Sequence, residues 1–129
     1  MWITRLFTDS SGRSAFEDLE LPLKRVEVEM FPGQKAEQFV NLQAPSAMVL
    51  NETEAGHQYD WHNAPRKQLV ITLQGEIEVQ LRDGTTRRFG SGTILLAEDS
   101  AGSGHATKVV SDEAWRCAYL PFEGNLLLT

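Results

Sequence analysis

The stretch GHQYDWHNAPRKQLVITLQG, Gly56 to Gly75, holds two of the chain's three histidines, His57 and His62. A glutamine, Gln68, follows the second of them by six residues. An imidazole can bind a transition metal, move a proton near neutral pH or simply hydrogen-bond. A glutamine amide adds a neutral oxygen and N–H donors. The third histidine, His105, ends the turn-rich run DSAGSGH. A single histidine in a strand is more often a hydrogen-bonded polar residue than a ligand. Residue types alone therefore leave both readings open. Other chemistries have less support. GSGTILL is glycine-rich but lacks the lysine-containing end of a phosphate loop. No Ser-His-Asp order stands out, and no pair of carboxylates has a recognisable catalytic spacing. Arg82, Arg87 and Arg88 flank Asp83-Gly84. They read as a solvated hairpin face opposite Glu76 and Glu78, with an anion site as the alternative.

The elements that must carry these residues are strands. EIEVQL alternates Ile77, Val79 and Leu81 with Glu76, Glu78 and Gln80, and VEVEM alternates Val26, Val28 and Met30 with Glu27 and Glu29. Both read as half-buried strands. AWRCAYL puts Trp115, Cys117 and Tyr119 on one face and Arg116 on the other. KQLVITL and GTILLA are more uniformly apolar, as expected when both faces are covered. Asp83-Gly84 marks a hairpin, Pro32-Gly33 a strand end, and DSAGSG a loop. GQKAEQFVNLQA reads as loop or irregular edge. The sum is one all-β domain over residues 1–129, with roughly ten short strands and no ordinary helix, a sandwich or barrel.

Period-two alternation also sorts the side chains of the opening stretch. His62 and Ala64 share a face, and a regular strand would put Asp60 there too. His57, Tyr59 and Trp61 fall on the opposite face, His57 at the surface or an interface, Tyr59 and Trp61 packed on the sandwich or lining a subunit contact.

Bulk composition narrows the partners. The 129 residues are 41% hydrophobic and 23% charged, which suits a globular chain with its own core. The net charge of -6 argues against nucleic acid. The single cysteine, Cys117, excludes an internal disulfide and reads as a small buried hydrophobe. The N-terminal residues show no signal-peptide core, and apolar runs such as ILLA are too short to span a bilayer. The expectation is a cytoplasmic protein with no membrane partner. Trp61, Trp115, Tyr119 and the terminal NLLLT point to a homodimer contact.

The spacing Gly56, His62, Ala64, Gln68, Gly75 resembles the first signature of the cupin superfamily, G-x5-H-x-H-x3,4-E-x6-G. Ala64 stands at the second histidine and Gln68 at the glutamate. The second signature, G-x5-P-x-G-x2-H-x3-N, is met in part by Gly102 and His105. Ser100 and Val109 stand at its proline and asparagine, and Gly92 is two residues too far upstream. The resemblance covers Gly56 to about Val110 and extends loosely to small bacterial cupins of unassigned function.

What the resemblance implies is a double-stranded β-helix, a jelly-roll barrel, with the signature residues pointing into it. By that implication His62, Gln68 and His105 are metal-ligand positions for one divalent transition metal (Fe, Mn, Ni or Zn). Ala64, Val70, Thr72 and Thr107 would line the surrounding pocket for a small-molecule ligand. Whether this is a metal-dependent enzyme of dioxygenase, isomerase or lyase type, or a non-catalytic binding or regulatory module without metal, stays open, because fold alone does not choose a reaction.

Overall fold

In the computed structural model, residues 1–26, 32–33 and 37–128 are described. Among them there are twelve strands and no helix. Strands β1 (Trp2–Thr8), β2 (Ser14–Glu20), β5 (Val49–Thr53), β7 (Gln68–Gln74), β10 (Ile94–Ala97) and β12 (Trp115–Pro121) form a six-stranded sheet in the order β2-β1-β10-β7-β12-β5. Strands β6 (Gln58–His62), β8 (Ile77–Gln80), β9 (Thr86–Phe89) and β11 (His105–Val109) form a second sheet, ordered β6-β11-β8-β9. A small ribbon pairs β3 (Lys24–Val26) with β4 (Glu37–Phe39). Only β1 and β10 pair in parallel among the described strands. Most of the VEVEM strand reading falls on residues 27–30, outside the described residues.

The two larger sheets face each other across one core. It takes Leu6, Val70, Leu95, Trp115 and Cys117 from the first sheet and Ile77, Val79, Phe89 and Val109 from the second. The apolar strands are explained by a second cluster on the outer face of the six-stranded sheet. There Ile3, Leu69 and Leu96 pack with Leu21 and Phe122, and Val40, Leu42 and Leu126 lie against them. Thus Leu69 and Val70, or Leu95 and Leu96, are all buried although neighbours point to opposite faces. The terminal apolar segment folds back, with Leu127 bridged to Leu42.

The Asp83-Gly84 hairpin closes β8 onto β9. Leu81 and Thr85 bond across it, Asp83 accepts from the Thr85 amide at 2.8 Å, and Gly84 supplies a φ of 89°. Its arginines are largely occupied. Arg88 pairs with Glu76 and Glu78, Arg87 with Asp18, and Arg82 stacks on Trp61 at 3.8 Å. This is the solvated-face reading of that cluster.

Candidate functional site

The end of the sandwich bounded by β6, β7 and β11 is where the chemistry-bearing residues meet. Strands β6 and β11 pair with His62 opposite His105 and Tyr59 opposite Thr107. Three residue steps on β6 therefore span two on β11, a β-bulge. The extra residue reverses the alternation upstream of it. Tyr59 consequently lines the same pocket as His62, and the expectation that it lies on the opposite face is corrected. Asp60 is turned the other way: it is exposed, and its carboxylate accepts from the Trp61 amide at 2.8 Å. It does not share the lumen face with His62. His57 is exposed, edge-on to Tyr59 with ring centroids 4.6 Å apart.

The two imidazoles sit side by side, centroids 4.4 Å apart and tilted 57°. Each is anchored through Nδ1. His62 donates to the Asp60 carbonyl at 2.6 Å, since that oxygen can only accept. His105, 6% exposed, donates to the Asp99 carboxylate at 2.5 Å. Both rings therefore keep Nε2 as the uncommitted nitrogen. Asp99 is 0% exposed and also accepts from the Ser14 hydroxyl at 2.6 Å. Its carbonyl and carboxylate oxygens take the Ala64 amide, and Asn63 bonds the carbonyls of Asp99, Ala101 and Gly102. The DSAGSG loop is thus strapped to the end of β6, and a buried carboxylate sets the orientation of a lumen histidine.

His62, His105 and Gln68 all line one pocket of about 330 Å³, together with Ala64, Val70 and Thr107. Gln68 opens β7 of the six-stranded sheet, so the NAPRK turn crosses from one sheet to the other. It comes from the facing sheet and not from a strand adjacent to β6. Thr72 departs from the expected lining. It lies deeper, accepting a hydrogen bond from the Trp115 indole at 3.1 Å, and does not border the pocket. Trp115 and Tyr119 do border it, so they serve the lumen and not the dimer contact expected of them. Burial pushes the pKa of both the Cys117 thiol and the Tyr119 phenol up, and the two stay neutral near neutral pH. Cys117 is 1% exposed in the core.

Gln68 is the unusual member. It is 7% exposed, yet its amide has no hydrogen-bond partner among the described residues. No buried side-chain polar atom is both sealed from solvent and unpaired among them, so the amide opens onto the pocket. Two other residues escaped the sequence reading. Asp99 sits in a run of turn formers, which reads as an exposed loop. Arg66 sits in a turn and borders the pocket mouth.

A resident divalent metal would have to be held by His62, His105 and Gln68. Ala64 offers no donor, Asp60 faces away, and Asp99 is committed behind the His105 ring. Among the described residues no three His, Cys, Asp or Glu side chains gather into a metal-holding group. Two imidazoles and a neutral amide leave both charges of the ion uncompensated, with a guanidinium at the same mouth. This donor set does not fit a resident divalent ion.

No family profile matches the chain, and no curated protein sequence matches it significantly. Solved structures do match. A cupin 2 conserved barrel domain protein from Salinispora arenicola superposes with a TM-score of 0.50 at 17% identity, over 79% of this chain and 76% of that one. The Cnp3 cupin domain of Schizosaccharomyces pombe gives 0.47 at 22% identity, over 76% and 80%. A conserved protein of unknown function from Streptococcus pyogenes gives 0.46 at 17% identity, over 60% of this chain and 64% of that one. The fold is the cupin type, an all-β jelly roll, and identities this low speak to fold alone.

Proposed function

We propose that this cupin-fold chain binds a small organic molecule between its two sheets, and that His62, His105 and Gln68 hold it by hydrogen bonds without a resident metal. The observation that carries the reading is the Gln68 amide, 7% exposed and unpartnered among the described residues. The amide opens onto the pocket, so its N–H donors and its carbonyl oxygen are uncommitted to protein and available to a bound molecule. The two free Nε2 atoms present further donor or acceptor positions on the same wall.

Replacing Gln68 by Leu tests this directly. With ligand absent, the variant is expected to melt no lower than the wild type, since the amide has no protein partner to lose. In a fragment screen read by NMR shifts at lumen residues, the same variant loses the hits that the wild type shows. A drop in apo stability would make the amide a structural partner and remove the basis of the reading. Elemental analysis after chelator-free purification is expected to find only substoichiometric Fe, Mn, Ni and Zn. One retained equivalent would overturn the metal-free part and restore His62, Gln68 and His105 as ligands.

A second reading, an enzyme, is supported by the Asp99–His105 contact of 2.5 Å. A carboxylate that orients an imidazole is the arrangement of a positioned acid or base. Assembly is a separate proposal. Strand β5 is an edge, and Val49 and Leu50 on it, with Met48 just before it, are exposed. Such an edge supports a homodimer. Light scattering at micromolar concentration that returns the 14.4 kDa monomer would refute it.

A further inference from the structure

We infer that the ligand of this pocket is a carboxylate with an apolar body, and that Arg66 selects it at the mouth. The inference rests on the lumen-binding reading and names the class of molecule. Three observations converge. The first is the sign of the pocket. The chain carries a net charge of -6, yet among the described residues no Asp or Glu borders this pocket. Its polar wall consists of His62, His105, Gln68, Thr107, Tyr59, Tyr119 and Arg66. An acidic protein that clears acids from one concave surface leaves it favourable to an anion. Cys117 and Tyr119, held neutral by burial, add no negative charge beside it.

The second is Arg66 itself. Arg5, Arg87, Arg88 and Arg116 are each paired with acidic side chains, Arg82 lies over Trp61, and Arg13 and Arg25, which have no ion pair among the described residues, lie away from this pocket, which Arg66 borders. Arg66 has no ion pair or hydrogen bond among the described residues, although carboxylates outnumber cations in the chain. It follows Pro65 in the turn between β6 and β7, and both border the pocket. A guanidinium presents several N–H donors in a plane that fits a carboxylate's two oxygens. The third is the rest of the wall. Val70, Ile77, Val79, Leu95 and Trp115 line the interior with hydrocarbon. A ligand that fills the pocket therefore needs an apolar body and a negative head near the entrance. An inorganic anion would meet Arg66 but leave the interior unused.

The test uses three probes of equal length and different heads: 3-phenylpropanoate, 3-phenylpropan-1-ol and 3-phenylpropylamine. Calorimetry gives affinity, and NMR shifts of His105 and Trp115 report lumen occupancy. The carboxylate is expected to bind about tenfold tighter than the alcohol, and the amine weakest of the three. Arg66→Met brings the carboxylate level with the alcohol. Arg66→Lys keeps part of the preference, and Arg66→Glu turns it toward the amine. Arg66 is exposed in a turn, so these variants fold, and melting curves check it. Equal binding of carboxylate and alcohol, with lumen shifts, would overturn the carboxylate assignment and leave the binding reading intact. A preference unchanged in Arg66→Met would remove Arg66 from its role. If no probe shifts the lumen signals, the carboxylate class falls, and the Gln68→Leu melt decides separately whether the pocket is a binding site.

Discussion

Asp99→Ala is expected to cost about 3–5 kcal/mol, roughly a fifth or more of the stability of an ordinary domain. Asp99 is 0% exposed, and its Oδ2 receives both the Ser14 hydroxyl and His105 Nδ1. Removing the carboxylate strands two buried donors at once and leaves a cavity next to the Ala64 amide. Ser14→Ala removes one of the two contacts and should cost only about 1 kcal/mol. Asp99→Asn keeps the volume and one acceptor oxygen, so it should fall between the two. Urea titrations give all three values, provided the denaturant slope is unchanged. A loss below about 1 kcal/mol for Asp99→Ala would show that water replaces the carboxylate and that the site is wetter than its burial indicates. The same series bears on the lumen. If the carboxylate fixes the His105 ring, Asp99→Ala broadens or splits the His105 side-chain resonances, whereas Ser14→Ala leaves them sharp.

The strands were legible because period-two patterning and turn chemistry agree along most of the chain. Ile77, Val79 and Leu81 are buried as their alternation requires. Asp83-Gly84 forms the expected hairpin. KQLVITL and GTILLA became β7 and β10, covered on both faces. GQKAEQFVNLQA carries only the short β4 among its described residues, an edge element that sparse apolar positions could not announce. Alternation failed where the ladder itself is irregular. The bulge between Tyr59 and His62 carries no sequence mark, since it sits in QYDWH without glycine or proline. It sent Asp60 to solvent and Tyr59 into the lumen, the reverse of what regular parity gives.

The site was legible in position but not in chemistry. The family resemblance, read together with strand alternation, put His62, Ala64, Gln68, Val70, His105 and Thr107 around one pocket, and all six line it. It misplaced Thr72, which the Trp115 indole claims. It passed over Asp99 and Arg66, because a turn-former run and a turn arginine both look like solvated surface. Burial of Asp99 depends on loop strapping by Asn63, Thr8 and Ser103, contacts between segments far apart in sequence. Local pattern contains no trace of such contacts. The absence of acids around the pocket is likewise a property of the assembled surface, invisible in a chain whose acids outnumber its bases.

Gly104→Ala should be the second large effect, and it is aimed at the histidine pair. Gly104 has a φ of 72°, and a Cβ built there would lie 2.5 Å from the His62 carbonyl oxygen and 2.9 Å from its carbon. Two costs add. The left-handed conformation costs an alanine about 1–2 kcal/mol. The contact is with backbone, so no side chain can swing away, and β6 must separate from β11 beside the His62–His105 register pair. A combined loss of about 3 kcal/mol or more follows, within the range of strained backbone sites. Gly92→Ala is the control. Gly92 has a φ of 84° with nothing within 4 Å of the built Cβ, so it bears the conformational cost alone. The difference between the two variants isolates the contact. Because His62 and His105 begin or end at this point of the ladder, Gly104→Ala should also shift both imidazole signals, and Gly92→Ala neither. Equal losses in the two variants, with the imidazoles undisturbed, would mean that the His62 carbonyl does not press on residue 104 and that the close approach of the two strands is not what pairs the histidines.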